Sequence, residues 1–425
     1  MSYKTKKEKE IIRSSKTSLK FANADKKDVV ELFLNEYFNV VRSFIDILWN
    51  MNHKDISSLL PKEITDQVTS TTWLSARLVQ CAGKQASGIV RGTRTKQERR
   101  LYQISKFIKE GQFKKARKLK AVYDKLASSK PTLEGNAVAE LDSRFVNINL
   151  DNDTSFDGWI TLSSIGNKIK LELPFKRTKH FNELYDVAGS DMKKGIRLSS
   201  KTITFNFGLP MLENVGTKTA GIDIGVKTLL SIYDGENFYS TGVDEHGYDL
   251  NAINDILSRR KKGSKGFERA QRHRQNYINR CVKKMPWDGL KTIRIERIKG
   301  LRKGKKSSRK LQHFNYRDIF DRMEMVSERL NVSVEQPSPT YTSQRCSCCG
   351  WTRKRNRKGK EFKCSACGYA TDADLNASRN IQLELPSISK ATRLSRPNRL
   401  GFYWNVMGQD NIVPDIHKAI IHILL

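Results

Sequence analysis

Long apolar runs are missing from this 425-residue sequence. None approaches the ~20 residues that a helix needs to cross a bilayer, so no membrane-embedded role is expected. The basic opening residues, MSYKTKKEKEIIRSSK, lack the apolar stretch that would follow in a secretion signal. The expected location is therefore cytoplasmic, where thiols stay reduced and disulfides are rare. Acidic residues are also scarce, with 45 Asp plus Glu against 78 Lys plus Arg, leaving a net charge of +33. A chain this basic repels itself when compact and calls for a large polyanionic partner, with nucleic acid first and an anionic membrane surface second. Cysteine is sparse at seven residues, and Cys81 and Cys281 stand alone as small buried side chains. No internal repeat is visible. What is present is an ordinary 38% share of apolar residues, which excludes a mainly disordered chain, in a length that suits two or three domains.

The chain changes texture twice. DVVELFLNEYFNVVRSFIDILWN sets Val30, Phe33, Leu34, Tyr37, Val40, Val41, Phe44, Ile45 and Leu48 at helical spacing, with Asn23 or Asp25 placed to cap. Basic helical sequence continues through about residue 127, as solvated helix faces or as a lobe that grips a duplex. After about residue 140, FVNINL, GWITLSS, NKIKLELPF and KTITFNFG alternate apolar and polar residues between Asn, Asp and Gly turns, the pattern of a small antiparallel barrel or sandwich. The early segment IIRSSKTSLKF can add a strand to it, which makes the helical lobe an insertion. From residue 217, KTAGIDIGVKTLLSIYDGENFYS predicts three strands with a turn at Asp234 and Gly235. A basic helical stretch, the strand KTIRIE, a helix around 317–330 and the strand NVSVEQ follow. Mixed strands and helices in this order predict an α+β or α/β domain on one central sheet.

Four of the cysteines form two C-x-x-C knuckles, Cys346 with Cys349 and Cys364 with Cys367, fourteen residues apart. Each knuckle offers two sulfurs from one tight turn, a pattern that suits one tetrahedral, structural zinc ion more than a redox dithiol. Cys348, in CSCC, offers an alternative sulfur. Between the knuckles lies WTRKRNRKGKEFK, where Arg353, Lys354 and Arg355 are expected to touch phosphates and Trp351 to stack on a base.

Three acids stand out further along the same reasoning. Metal-dependent phosphodiester hydrolysis gathers several carboxylates around a pair of magnesium ions. An RNase H-type fold takes them from a first strand, a later strand end and a C-terminal helix. Asp223 lies mid-strand in GIDIGVKT between Ile222 and Ile224, where an unpaired charge is costly. Glu296 ends TIRIE, and Asp374 opens DLNASRNIQLEL. Taken singly, each has an ordinary alternative as an edge, surface or helix-capping residue. The basic stretch 259–284 holds eleven Lys and Arg against the single acid Glu268.

GIDIGVKTLLSIYDG, IRIERIKGL and YTSQRCSCCG…FKCSACGYATDADLNASRNI together resemble the three RuvC motifs and the zinc-binding insertion of TnpB proteins and compact type V CRISPR effectors, over residues 217–382. The resemblance implies a multidomain α+β protein with an RNase H-like (RuvC) nuclease domain. A four-cysteine zinc ribbon would be inserted into that domain, and a β-barrel wedge domain interrupted by a helical recognition lobe would precede it. The implied boundaries are 1–24 and 141–212 for the wedge, 25–140 for the lobe, 213–340 and 371–385 for the nuclease, 341–370 for the target-nucleic-acid-binding ribbon, and 386–425 for a tail.

The family's D-x-N-A pattern selects Asp374, with Asn376 and Ala377, over Asp372. The implied activity is RNA-guided, Mg2+-dependent DNA cleavage, with Asp223, Glu296 and Asp374 binding the magnesium ions. The implied partners are a noncoding guide RNA and target double-stranded DNA. Arg259, Arg260, Lys261, Lys262, Arg269, Arg272 and Arg274 would then line the guide–target heteroduplex. The sequence departs from the family where Arg297 follows Glu296, in the very basic loop LRKGKKSSRK, and in the long tail with GFYWNV and AIIHILL. Alternative readings are a catalytically silent RNA-guided regulator and a guide-independent resolvase or transposase-type nuclease. Monomer and homodimer remain equally open.

Overall fold

A computed structural model describes residues 10–298 apart from 53, 128, 134–136 and 152, together with 313–386, 388 and 401–404. The loop LRKGKKSSRK and the segment AIIHILL lie outside the described residues. The chain divides into two compact units, Met1–Pro210 and Met211–Leu425. Among the described residues no helix is long and apolar enough to cross a membrane.

The first unit begins with strand β1 (Glu10–Ser18) and then leaves the sheet for helices α1 (Ala24–Trp49), α2 (Lys62–Thr69), α3 (Ala76–Lys109) and α4 (Phe113–Ala127). Helix α1 forms where its periodicity predicts, and all nine of its expected core residues are buried. Asn23 caps it, its side-chain oxygen accepting from the Lys26 amide at 3.1 Å and so satisfying one of the free N–H groups of the first turn.

The chain returns through β2 (Ala139–Leu141), β3 (Val146–Asn149), β4 (Gly158–Leu162), β5 (Leu171–Phe175), the short helix α5 (Lys179–Tyr185), β6 (Asp191–Leu198) and β7 (Thr202–Pro210). Strand β1 pairs antiparallel with β7 along its whole length, Glu10 opposite Pro210 and Ser18 opposite Thr202. The helices are thus an excursion between strands of one sheet, ordered β1-β7-β6-β2, while β3-β4-β5 form a second. Ile203, Phe205 and Phe207 of β7 point to one side, as the alternation predicts. Phe205 meets Phe175 and Phe181 with ring centroids at 4.9 and 5.2 Å in the shared core. Strand β6 and helix α5 were not foreseen from the alternation, because β6 carries Lys193, Lys194 and Gly195 where a half-buried strand shows apolar residues.

The second unit is built on a five-stranded sheet in the order β10-β9-β8-β11-β12. Its strands are β8 (Lys218–Ile224), β9 (Leu230–Tyr233), β10 (Phe238–Ser240), β11 (Leu290–Ile295) and β12 (Ser333–Glu335). Strands β8, β9 and β10 form an antiparallel meander, whereas β11 runs parallel to both β8 and β12. Helices α6 (Leu250–Arg259) and α7 (Lys265–Lys283) precede β11, and α8 (Tyr316–Leu330) precedes β12. Ala220, Ile222, Ile293 and Ile295 from the central strands pack with Ile253, Leu257, Ile278 and Val282 from the helices.

The cysteine segment adds β13 (Trp351–Thr352), β14 (Arg357–Lys358), β15 (Glu361–Lys363) and β16 (Ala370–Asp372). It leads directly into helix α9 (Ala373–Gln382), and β17 (Phe402–Tyr403) pairs back onto β13.

Helix α9 crosses β8 at Gly221. A Cβ there would collide with the Ser378 carbonyl oxygen and the Gln382 backbone nitrogen, so only glycine lets the helix lie this close. The Gln382 side chain donates to the Thr219 carbonyl at 2.7 Å and fixes the crossing. Gly221→Ala is therefore expected to destabilise the second unit by about 1–3 kcal/mol through overpacking. Gly242→Ala, which meets no neighbouring heavy atom within 4 Å, should be close to neutral. Urea denaturation of the two variants measures the difference, and equal midpoints would contradict the packing account.

Candidate active site and metal centre

Strand β8 buries Ile222 and Ile224 and turns Asp223 to the opposite face, where it is half-buried. The parallel pairing sets Ile295 opposite Ile222, so Glu296, the next residue, emerges beside Asp223. The two carboxyls are in hydrogen-bond contact, and Glu296 also accepts from the Ile224 amide. Burial and then the charge of Asp223 push Glu296 up to about 8. Burial and then the charge of Asp374 push Asp223 up as well. Buried carboxyls this close to one another cannot both ionise cheaply, which raises the proton affinity of the pair.

Asp374 reaches the same place from another direction. Asp372 caps helix α9 by accepting from the Asp374 and Leu375 amides at 2.8 and 3.0 Å. This leaves the Asp374 carboxyl, 7% exposed, pointing off the first turn. Arg357 pairs with it at 3.1 Å, and Lys360 pairs with it while also donating to the Thr228 hydroxyl at 3.1 Å. Asp223, Glu296, Asp374, Thr228, Arg357 and Lys360 all line one open cavity of about 390 Å³. Asp374 pairs with these two cations, and its oxygens are not grouped with those of Asp223 and Glu296 in a cluster as compact as the cysteines'.

The donor set fits a hard divalent cation. It offers carboxylate oxygens, and the proton affinity of Asp223 and Glu296 is raised first by burial and then by a neighbouring acid, a charge that a bound cation would offset. The contacts of Arg357 and Lys360 with Asp374 were missed in the sequence. Both residues lie in a stretch already marked as cationic, where nothing in the composition distinguishes them from Arg355 or Lys358.

The four cysteines converge. Their sulfurs lie within 4.8 Å of one another, with Cys346 to Cys367 at 3.7 Å and Cys349 to Cys364 at 3.6 Å. Zinc–sulfur bonds of about 2.3 Å at a tetrahedral angle put sulfurs roughly 3.8 Å apart, so the site fits zinc. Gly350 and Gly368, both at positive φ, close the two knuckles. Cys348 is exposed and stands outside the cluster.

Two of the expected nucleic-acid contacts are corrected. Trp351 is 7% exposed, donates to the Ser365 hydroxyl at 3.0 Å and packs edge-on against Tyr403 at 4.9 Å, so its ring is core and not a stacking platform. Arg274, also 7% exposed, donates to the His313 carbonyl at 2.7 Å and pairs with Asp318, so it braces helix α7 from within. Arg259, Arg260, Lys261, Lys262, Arg269 and Arg272 are exposed, although Arg259 pairs with Asp255 on its own helix. Arg260, Arg269 and Arg272 line a second cavity, of about 700 Å³, together with His246 and His273. His273 is oriented there by buried Asp244 at 2.6 Å. In the ribbon Lys354 and Arg355 are exposed and Arg353 half-buried.

Residues 316–381 match a protein family described as "Cas12f1-like, TNB domain". The chain is 41% identical over 104 residues to the CRISPR-associated endodeoxyribonuclease Cas12f1 of Sulfoacidibacillus thermotolerans, a match that covers 24% of each chain. It is 32% identical over 120 residues to the Cas12f1 of Syntrophomonas palmitatica, covering 28% of this chain and 24% of that one. It is 35% identical over 90 residues to the TnpB-like protein aq_aa05 of Aquifex aeolicus, covering 20% of this chain and 29% of that one. These matches thus span about a quarter of the length of each relative.

A carboxyl whose folded pKa is raised lends stability that is complete below its ordinary value of 4.5 and is lost as pH climbs through about 8. In EDTA, Glu296→Gln should therefore lose less thermal stability than the wild type between pH 5 and pH 9. Parallel melting curves for both proteins would refute the raised proton affinity of Glu296. Elemental analysis should find one zinc per chain, kept by Cys348→Ser and lost by Cys364→Ser. Loss of zinc from the Cys348 variant would reassign the ligands.

Proposed function

We propose, from the chain's kinship with TnpB-like proteins and compact type V effectors, that it is an RNA-guided, Mg2+-dependent DNA endonuclease with a single RuvC-type site on an RNase H-like domain. The observation that carries the reading is the meeting of Asp223, Glu296 and Asp374 at one cavity, from a first strand, the end of a parallel neighbour and a C-terminal helix.

In this reading Asp223, Glu296 and Asp374 are the magnesium ligands, and Cys346, Cys349, Cys364 and Cys367 hold one structural zinc. Magnesium ions bound there would activate a water molecule and stabilise the leaving oxygen of the phosphodiester. The chain's own groups do the rest. Asp223 and Glu296, whose proton affinity is raised, would release protons to solvent when a cation binds, which ties occupancy to pH. Arg357 and Lys360, already beside Asp374, are placed to meet the phosphate's negative charge, and Thr228 fixes the Lys360 ammonium. Ile222 and Ile224 anchor β8, so that Asp223 cannot swing away.

The partners in this reading are a noncoding guide RNA and target double-stranded DNA, with base pairing supplying the sequence specificity. The exposed cations Arg260, Arg269 and Arg272 would follow the heteroduplex backbone, with Arg259, Lys261 and Lys262 beside them and Lys354 and Arg355 on the ribbon. Residues 1–24 and 141–212 would serve as wedge and 25–140 as recognition lobe. A silent regulator of the same lineage would be expected to have lost one of the three acids, and this chain keeps all three.

Asp223→Ala should abolish DNA cleavage, measured on a guide-matched plasmid, while RNA and target binding by gel shift stay within a few-fold of wild type. Retained cutting by that variant would end the assignment, and cutting by wild-type protein freed of RNA would favour a guide-independent nuclease.

A further inference from the structure

Helix α9 buries amides where a surface helix would bury aliphatics. Asn376 and Ser378 are 0% exposed and Asn380 is 1% exposed. The Asn376 side-chain oxygen accepts from the Ser347 amide at 2.9 Å, and its amide nitrogen donates to the Arg345 carbonyl at 2.7 Å. Asn380 donates to the carbonyls of Thr342 and Arg345 at 2.9 and 2.7 Å and accepts from the Arg345 guanidinium at 2.6 Å. That guanidinium also donates to the Cys346 carbonyl at 3.1 Å and to the Trp404 carbonyl. Five hydrogen bonds therefore tie one face of α9 to residues 342–347. Ser347 lies inside the first knuckle, between Cys346 and Cys349, in a turn whose shape the four-sulfur site dictates.

We propose that Asn376 is a positioning residue through which the zinc knuckle sets the place of Asp374, so that zinc occupancy governs cation binding at the carboxylates. The proposal rests on the reading of α9 as the nuclease helix. Asp374 is two residues before Asn376 on a helix of ten residues, too short to hold its register without tertiary contacts. From the other side the ribbon holds Asp374 through Arg357 and Lys360. Loss of the Asn376 side chain would leave the part-buried Ser347 amide without its acceptor and the Arg345 carbonyl with Asn380 as its remaining side-chain donor, which loosens the knuckle from the helix. Partners that orient a metal ligand from outside the coordination sphere commonly change affinity or activity by roughly 10–100-fold.

The test uses the full chain loaded with zinc and titrates Mn2+, a magnesium surrogate that does not compete for four thiolates, by calorimetry and water-proton relaxation. Asn376→Ala should keep its zinc yet bind Mn2+ at the carboxylates roughly 10–100-fold more weakly. Asn376→Asp, which keeps an acceptor for the Ser347 amide, should recover part of that loss. Hydrogen exchange on the wild-type protein guards against a variant that fails to fold. Chelating zinc should speed exchange of the amides of α9 while β8 and β11 stay protected.

Wild-type Mn2+ affinity in Asn376→Ala, or α9 protection that zinc removal leaves unchanged, overturns the proposal. DNA cleavage by Asp374→Ala would instead sink the nuclease reading and leave the exchange coupling between zinc and helix standing, so the two failures are distinguishable.

Discussion

Repulsion between neighbouring carboxyls is the constraint that the second unit is arranged to withstand. Asp223 and Glu296 touch because β8 and β11 run parallel with Ile295 opposite Ile222, and Asp374 adds its field from the helix that crosses β8. Left to relax, three acids at one cavity would drive the strands and the helix apart. The apolar residues on the other face of the sheet prevent this, and so do the glycine at the helix crossing and the cations of the ribbon. A protein under selection for stability alone would have no use for such a cluster.

The strand that carries Asp223 was readable because Ile222 and Ile224 flank a charge in a segment with clear alternation. The first helix was readable because nine apolar residues keep one helical phase. What could not be read came from long-range packing. Trp351 looks like a surface aromatic among cations, but β13 pairs with β17, some fifty residues on, and that contact buries it. No local signal announces such a pairing.

Arg274 is a different case. Ala270, Tyr277, Ile278 and Cys281 share its side of α7 and are buried with it, so the helical phase marked it as inward-facing while the charge count marked it as a contact. Where the two conflict, periodicity is the better guide, because a buried guanidinium can still be satisfied by a carbonyl and a carboxylate. The same contrast holds in the ribbon, where the stretch was read as cationic but nothing singled out the two side chains that reach Asp374. The cysteine clip runs straight into the helix that carries Asp374, and the ribbon pins that helix at two places, by amide contacts of Asn376 and Asn380 with residues 342–347 and by ion pairs from Arg357 and Lys360.

The antiparallel match of β1 with β7 has a consequence for how the first unit tolerates change. Strands β1 and β2, which flank the helical excursion, form the two outer edges of the four-stranded sheet, while β6 and β7 fill its middle. Length can therefore change at the exposed turn between α3 and α4 without re-registering any ladder, whereas α1 and α3 share one apolar core with the strands and must keep their inward faces. A lobe grafted from another chain onto residues 18 and 139 would have to bring those inward faces with it.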